Sequence, residues 1–158
     1  MNKILSFFIT LFIFIYPLTS IASSTKSIGE KGDPNNIDRV INIKMYDNYY
    51  EPNLITNLGE MVHEYNIGTK EMHIKHQPEM QKLIDHEIIT FDKIDKKKMK
   101  EMSKKDHSLA HSHSNSIMLE PKTQGEIIWK FSKDIELEMA CNIPGHYASG
   151  MVGKIITK

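Results

Sequence analysis

The stretch Ala140-Cys141-Asn142-Ile143-Pro144-Gly145-His146-Tyr147-Ala148-Ser149-Gly150-Met151 holds the single cysteine of the chain, followed at equal five-residue steps by a histidine and a methionine. Pro144-Gly145 supplies a turn between them. A short loop that turns between two strands brings a thiolate, an imidazole and a thioether together. Soft sulfur with imidazole suits copper, above all a trigonal His₂Cys site with a long axial Met. Cys141, His146 and Met151 are three of its four ligands, and a second histidine must come from elsewhere. The plainer alternative is a free cysteine that packs as a small hydrophobe; the spacing and the turn argue against it.

Working outward, Ile135–Ala140 alternates apolar and polar before the loop, and Met151–Ile156 closes a sheet after it. Asn115–Pro121 reads as a strand entering a turn at Pro121 to Gly125, and Glu126–Phe131 as the next strand, with Trp129 in the core. Upstream, Arg39–Met45 alternates as a half-buried strand does, and Tyr49–Ile55 is a further strand. No βαβ pattern is present, so the fold class is all-β, a sandwich or barrel.

At the N-terminus, Lys3 precedes an uncharged apolar run from Ile4 to Tyr16, broken by Pro17 and followed by Ser20-Ile21-Ala22. Residues 1–22 are therefore expected to be a secretory signal peptide. The run falls short of the ~20 apolar residues a membrane span needs, so no stable membrane insertion is expected after cleavage. Ser23 to about Asp38 is a polar, flexible lead-in. An oxidising compartment makes an unpaired thiol a liability unless it is a ligand, which agrees with the loop. Charge is balanced, 20 basic against 20 acidic residues, so nothing marks a nucleic-acid face.

The ligand loop, with Phe131 and Glu138-Met139-Ala140 before it and Gly150–Ile155 after it, resembles that of the cupredoxins, small blue-copper β-barrels. Gly32-Asp33-Pro34 with Asp38-Arg39, and then Tyr49–Ile55, resemble the opening of the periplasmic copper-tolerance cupredoxins in particular. The likeness covers nearly all of the chain after the leader. It implies a cupredoxin-like Greek-key domain over 39–158, with a partly helical Met- and His-rich insertion at about 71–114. It also implies a periplasmic protein that binds one type 1 copper through His63, Cys141, His146 and Met151. Asn57 would order the loop carrying Cys141, and the His146 edge would pass electrons to a transient redox partner.

The first histidine is placed by Asn57-x-Gly59 followed by His63-Glu64-Tyr65-Asn66-Ile67-Gly68-Thr69. This alignment omits roughly a dozen residues, about one core strand with its turn. A shifted alignment sets Gly59–Val62 in the strand and makes His73 the ligand, but it loses the match at His63-Glu64-Tyr65; His63 is preferred. A missing strand would leave edges open to pairing and a smaller core.

Between Glu71 and Lys105 the spacing turns helical. Met72, Lys75-His76, Met80, Leu83 and Ile84 recur at three and four, with Pro78 limiting where the helix starts. Lys96–Met102 is a second, charge-rich helix with a solvated face. His73, His76 and Met80 fall on adjacent turns of one helix face. His107, His111 and His113 lie in a polar segment and offer weak, undefined extra copper binding.

Two function classes follow: a one-electron carrier, or a tolerance protein that captures periplasmic copper. The His- and Met-rich insertion favours the second. The alternatives are a secreted β-domain with a degenerate copper site, or copper sequestration by the insertion alone. With no nucleophile elbow, phosphate loop or paired carboxylates, and four protein ligands closing the metal, no enzyme is expected.

Overall fold

Strand alternation becomes structure only where a neighbouring strand is present to pair with it. The computed structural model describes residues 27–47, 49–52 and 56–156. The leader assigned to 1–22, residues 23–26 of the lead-in and Asn53–Ile55 of the second expected strand lie outside the described residues. The described strands are β1 (Gly29–Lys31), β2 (Ile43–Met45), β3 (Tyr50–Pro52), β4 (Thr56–Asn57), β5 (His63–Gly68), β6 (Ser116–Leu119), β7 (Trp129–Phe131), β8 (Leu137–Ala140) and β9 (Val152–Ile155). Between β5 and β6 come helices α1 (Lys70–Asp85) and α2 (Lys96–Met102) and a 3-10 turn at His107–Leu109.

The strands form three sheets, β1-β7, β3-β2-β4 and β6-β5-β8-β9, and do not close into a barrel among the described residues. The protein is mainly β, with its helices confined to the insertion. The lead-in differs from expectation, since its Gly29–Lys31 pairs antiparallel with Trp129–Phe131. The strand expected over Arg39–Met45 is formed only at its last three residues. Val40 and Ile41 are instead 74% and 58% exposed. Among the described residues, 39–42 belong to none of the three sheets.

β5 is the central element, buried at all six positions. Successive side chains of a strand point to opposite faces. On one face Tyr65 meets Tyr50 edge to face, with ring centroids 5.7 Å apart, beside the short sheets. On the other face α1 lies close over the strand, where a Cβ at Gly68 would sit 3.3 Å from the His73 ring. Glycine at 68 permits that approach.

Thr69 caps α1 by accepting the Met72 N–H, and Met80 and Leu83 bury its inner stripe. The helix runs through Pro78 rather than starting beyond it. Proline has no N–H to give the carbonyl of Ile74 one turn earlier, and Ile74 lies on the exposed side of the helix, 53% exposed. Asp95 caps α2 by accepting the Lys98 N–H. Among the described residues no helix is long and apolar enough to cross a membrane.

Candidate metal centre

The ligand loop is the connection of an antiparallel pair, β8 and β9, in which Ala140 is opposite Val152. Cys141 and Met151 are the next residues inward. They remain joined, as the Cys141 N–H donates to the Met151 carbonyl at 3.1 Å. Inside this closure the Met151 N–H donates to the His146 carbonyl and the His146 N–H to the Ile143 carbonyl. Gly145 turns the chain at φ +88°, a conformation suited to glycine. Equal spacing of Cys141, His146 and Met151 is thus a hairpin loop folded back on its own base.

β8 also pairs with β5, Ala140 opposite Asn66. Extending that register sets Cys141 opposite Tyr65 and Asn142 opposite Glu64. The thiol therefore faces the same side of the sheet as His63 and Tyr65. Cys141 Sγ lies 3.3 Å from His146 Nδ1 and 3.9 Å from His63 Nδ1, and the two imidazole centroids are 5.0 Å apart. An ion bonded to sulfur at about 2.3 Å and to nitrogen at about 2.0 Å spans donors this far apart. Cys141, His63 and Met151 are fully buried, and His146 is partly exposed.

His63 is oriented from behind. Its Nε2 lies 3.1 Å from Asp47 Oδ1. The tautomer that donates this hydrogen bond leaves the Nδ1 lone pair facing the thiol, as carboxylates do for ligating histidines. The Asn57-x-Gly59 motif serves the same contact. Asn57 Oδ1 accepts the Gly59 N–H at 2.9 Å, and a Cβ at Gly59 would collide with Asp47 Oδ1. Asn57 Nδ2 donates to the carbonyls of Met61 and Leu119. The expected role of Asn57 on the Cys141 loop is thereby corrected: its side chain ties the loop before His63 to the end of β6.

Charge in this corner is set by burial. It pushes the Cys141 thiol up to about 12, helped by the negative Glu64 and opposed by backbone N–H donors. Burial pulls His146 down to about 4, with the neighbouring His63 adding to the effect. His63 is also lowered by burial, against the pull of Asp47. Both imidazoles are then neutral at pH 7 with lone pairs available, while the thiol keeps its proton until a cation displaces it.

His73 is elsewhere. It is buried on α1, with Nε2 3.3 Å from the Glu138 carbonyl and Nδ1 3.3 Å from Asn142 Nδ2. Of the two alternative first histidines, His63 is the one that faces Cys141. His107 is exposed in the 3-10 turn. His111 and His113 are not part of an undefined loop, since both rings pack beside His76 on α1.

Glu64 was not singled out by sequence reading. Its carboxylate is fully buried on the α1 side, accepting from the Asn142 N–H, Asn142 Nδ2 and Asn66 Nδ2 and meeting His76 and His111. Its own N–H donates to Cys141 Sγ at 3.3 Å. A charged residue inside a strand that is otherwise ready for burial was the available signal. Asp47 had none, since only folding sets it behind His63.

A mainly-β protein with a buried thiol and two imidazoles converging at one end of its largest sheet has the donor set of a copper protein. No protein-family model matches the chain, and no solved structure matches it significantly. Curated relatives do. The copper-resistant cuproprotein CopI of Pseudomonas aeruginosa is 32% identical, the match covering 82% of each chain. CopI of Rubrivivax gelatinosus is 27% identical over 82% of this chain and 73% of the relative. CopI of Vibrio cholerae is 29% identical over 66% of this chain and 52% of the relative. The chain belongs to the CopI family of copper-resistant cuproproteins.

Proposed function

We propose that this protein binds copper at His63, Cys141 and His146, with Met151 as the weak fourth ligand, and that it serves copper tolerance in the periplasm. The observation that carries the reading is the approach of two imidazole Nδ1 atoms to one buried thiol, 3.3 and 3.9 Å from Sγ. Copper, when bound, would supply the one-electron couple and a strong bond to sulfur. The chain's own part is to hold the imidazoles neutral, fix His63 through Asp47, and keep water from Cys141. Family membership and the additional histidines of the insertion favour capture of copper.

A one-electron carrier with a cupredoxin-like type 1 site uses the same four ligands. Its specific support is His146, the one donor of the cluster that is partly exposed and so within reach of a docked partner. One equivalent of Cu(II) added to the purified chain should give a strong thiolate-to-copper absorption near ~600 nm. Cys141→Ala and His63→Ala should each remove it, and His73→Ala should leave it. Absence of the band in the unaltered chain, or its survival in Cys141→Ala, would defeat the proposal. A reversible couple whose rate depends on an added redox protein would favour the carrier.

A further inference from the structure

We infer that Glu64, His76 and His111 form a second copper site, suited to the cupric ion, on the face of β5 opposite Cys141. Glu64 Oε1 lies 3.1 Å from His76 Nε2 and 2.8 Å from His111 Nε2, and the three donor atoms lie within 4.8 Å of one another. The ring of His113 closes a triangle with the other two, all three centroid separations being 5.2 to 5.4 Å. At the rim, Glu79 Oε2 stands 2.8 Å from His76 Nδ1 and 3.9 Å from His113 Nε2.

This arrangement exceeds what an ion pair needs. One imidazole satisfies one carboxylate, whereas here three imidazoles and two carboxylates converge from β5, α1 and the segment after the 3-10 turn. The inner three are secluded: the side chains of Glu64, His76 and His111 are 0%, 10% and 4% exposed. His111 also holds a left-handed backbone at φ +36°, which costs a residue with a Cβ and is kept where the surroundings fix it. The Nε2 atoms of His76 and His111 converge on one buried carboxylate oxygen, and a cation that takes the place of the protons shared there would be held by both rings and Glu64 at once.

The donors choose the ion. Two nitrogens and a carboxylate oxygen, with no thiol or thioether among them, suit divalent first-row metals, and cupric ion binds such sets most tightly of that series. The site shares no ligand with Cys141, so it stands whether or not the thiol site holds copper. The two are joined through Glu64, whose N–H donates to Cys141 Sγ and whose Oε2 accepts from Asn142, the residue after the cysteine. Filling one site should therefore be felt at the other.

The test uses the full chain carrying Cys141→Ala and His146→Ala, which dismantles the thiol corner, titrated with Cu(II) alone. One equivalent should bind, with an electron paramagnetic resonance signal showing nitrogen coupling. Adding His111→Ala should weaken it by at least about 100-fold, beyond the loss typical of an outer partner. No stoichiometric Cu(II) in the double variant, or an affinity untouched by His111→Ala, overturns the site. If His111→Ala fails to fold, pulsed resonance on the double variant decides: two or more coordinated imidazoles support the assignment, fewer refute it. The visible band of the unaltered chain reads the thiol site separately, so the two proposals fail independently.

Discussion

Glu64→Gln keeps the shape of the side chain and removes its charge, so it measures what the buried carboxylate does for the metal-free protein. Two of its neighbours, the Asn142 N–H at 3.2 Å and Asn142 Nδ2 at 2.8 Å, donate to Oε2, and Asn66 Nδ2 donates to Oε1 at 3.1 Å. His76 and His111 complete the shell. An amide has one oxygen, so its NH₂ must face donors that need an acceptor. Burial alone would raise the Glu64 pKa, but hydrogen bonds from His111 and His76 outweigh it and hold the carboxyl well below the ordinary range. Breaking a buried charged cluster by altering one member costs about 3–5 kcal/mol. For a chain of this size that is a melting point lower by roughly 10 °C. Calorimetry at pH 7 on chelator-treated samples measures it. The sign with pH follows from linkage. A carboxylate depressed in the folded state stabilises above its unfolded pKa, and that benefit is lost as pH falls through the folded value. The gap between the two proteins should thus persist at pH 5 and narrow only in stronger acid. A loss under about 1 kcal/mol at pH 7 would refute the view that this carboxylate organises the α1 face of the sheet.

Three further outcomes are expected. Asp47→Ala removes the anchor of His63 Nε2 from a side chain that is 42% exposed, so the fold should survive while copper affinity at the thiol site falls about 10- to 100-fold by chelator competition. Gly59→Ala should lower it in the same direction by displacing Asp47, and unchanged affinity in both would remove Asp47 from the site. Binding of one copper at Cys141 should release about one proton at pH 7, because the thiol at about 12 is protonated while His146 at about 4 is not. Calorimetric titration in buffers of different ionisation enthalpy counts it, and two or more protons would contradict neutral imidazoles. The metal-free protein should be most stable near neutrality. Burial lowers His63, His73, His113 and His146, so their contribution is whole above about 6.5 and is lost as pH falls through their folded values; His76, raised by Glu64 and Glu79 against its burial, loses its contribution as pH rises through its own. Urea midpoints between pH 4.5 and 8 that rose steadily toward acid would exclude this balance.

What the sequence made legible was local. The loop from Cys141 to Met151 could be read because both ends are register neighbours of one hairpin, and β6, β8 and β9 because each expected strand finds a partner. Arg39–Ile41 alternates equally well and lies exposed, since alternation prepares a face without itself supplying what covers it. The three-and-four spacing from Met72 to Ile84 was legible as a helix, and α1 follows it through Pro78 with Met80 and Leu83 buried.

Two-sided use of β5 was the hardest feature to foresee. His63 was chosen for its place in a motif and Glu64 was quoted only as its neighbour, yet the pleat gives adjacent residues opposite faces. A strand that delivers one donor to the Cys141 corner must deliver the next to whatever covers its other side. Here that cover is the insertion, and the partners of Glu64 arrive from 12, 47 and 78 residues away. The same step carries Cys141 and Asn142 to the two faces in turn. The insertion's histidines are therefore tied to the thiol corner through two pairs of adjacent residues, His63-Glu64 and Cys141-Asn142, and their effect on it should be read in the protein as a whole rather than in either segment alone.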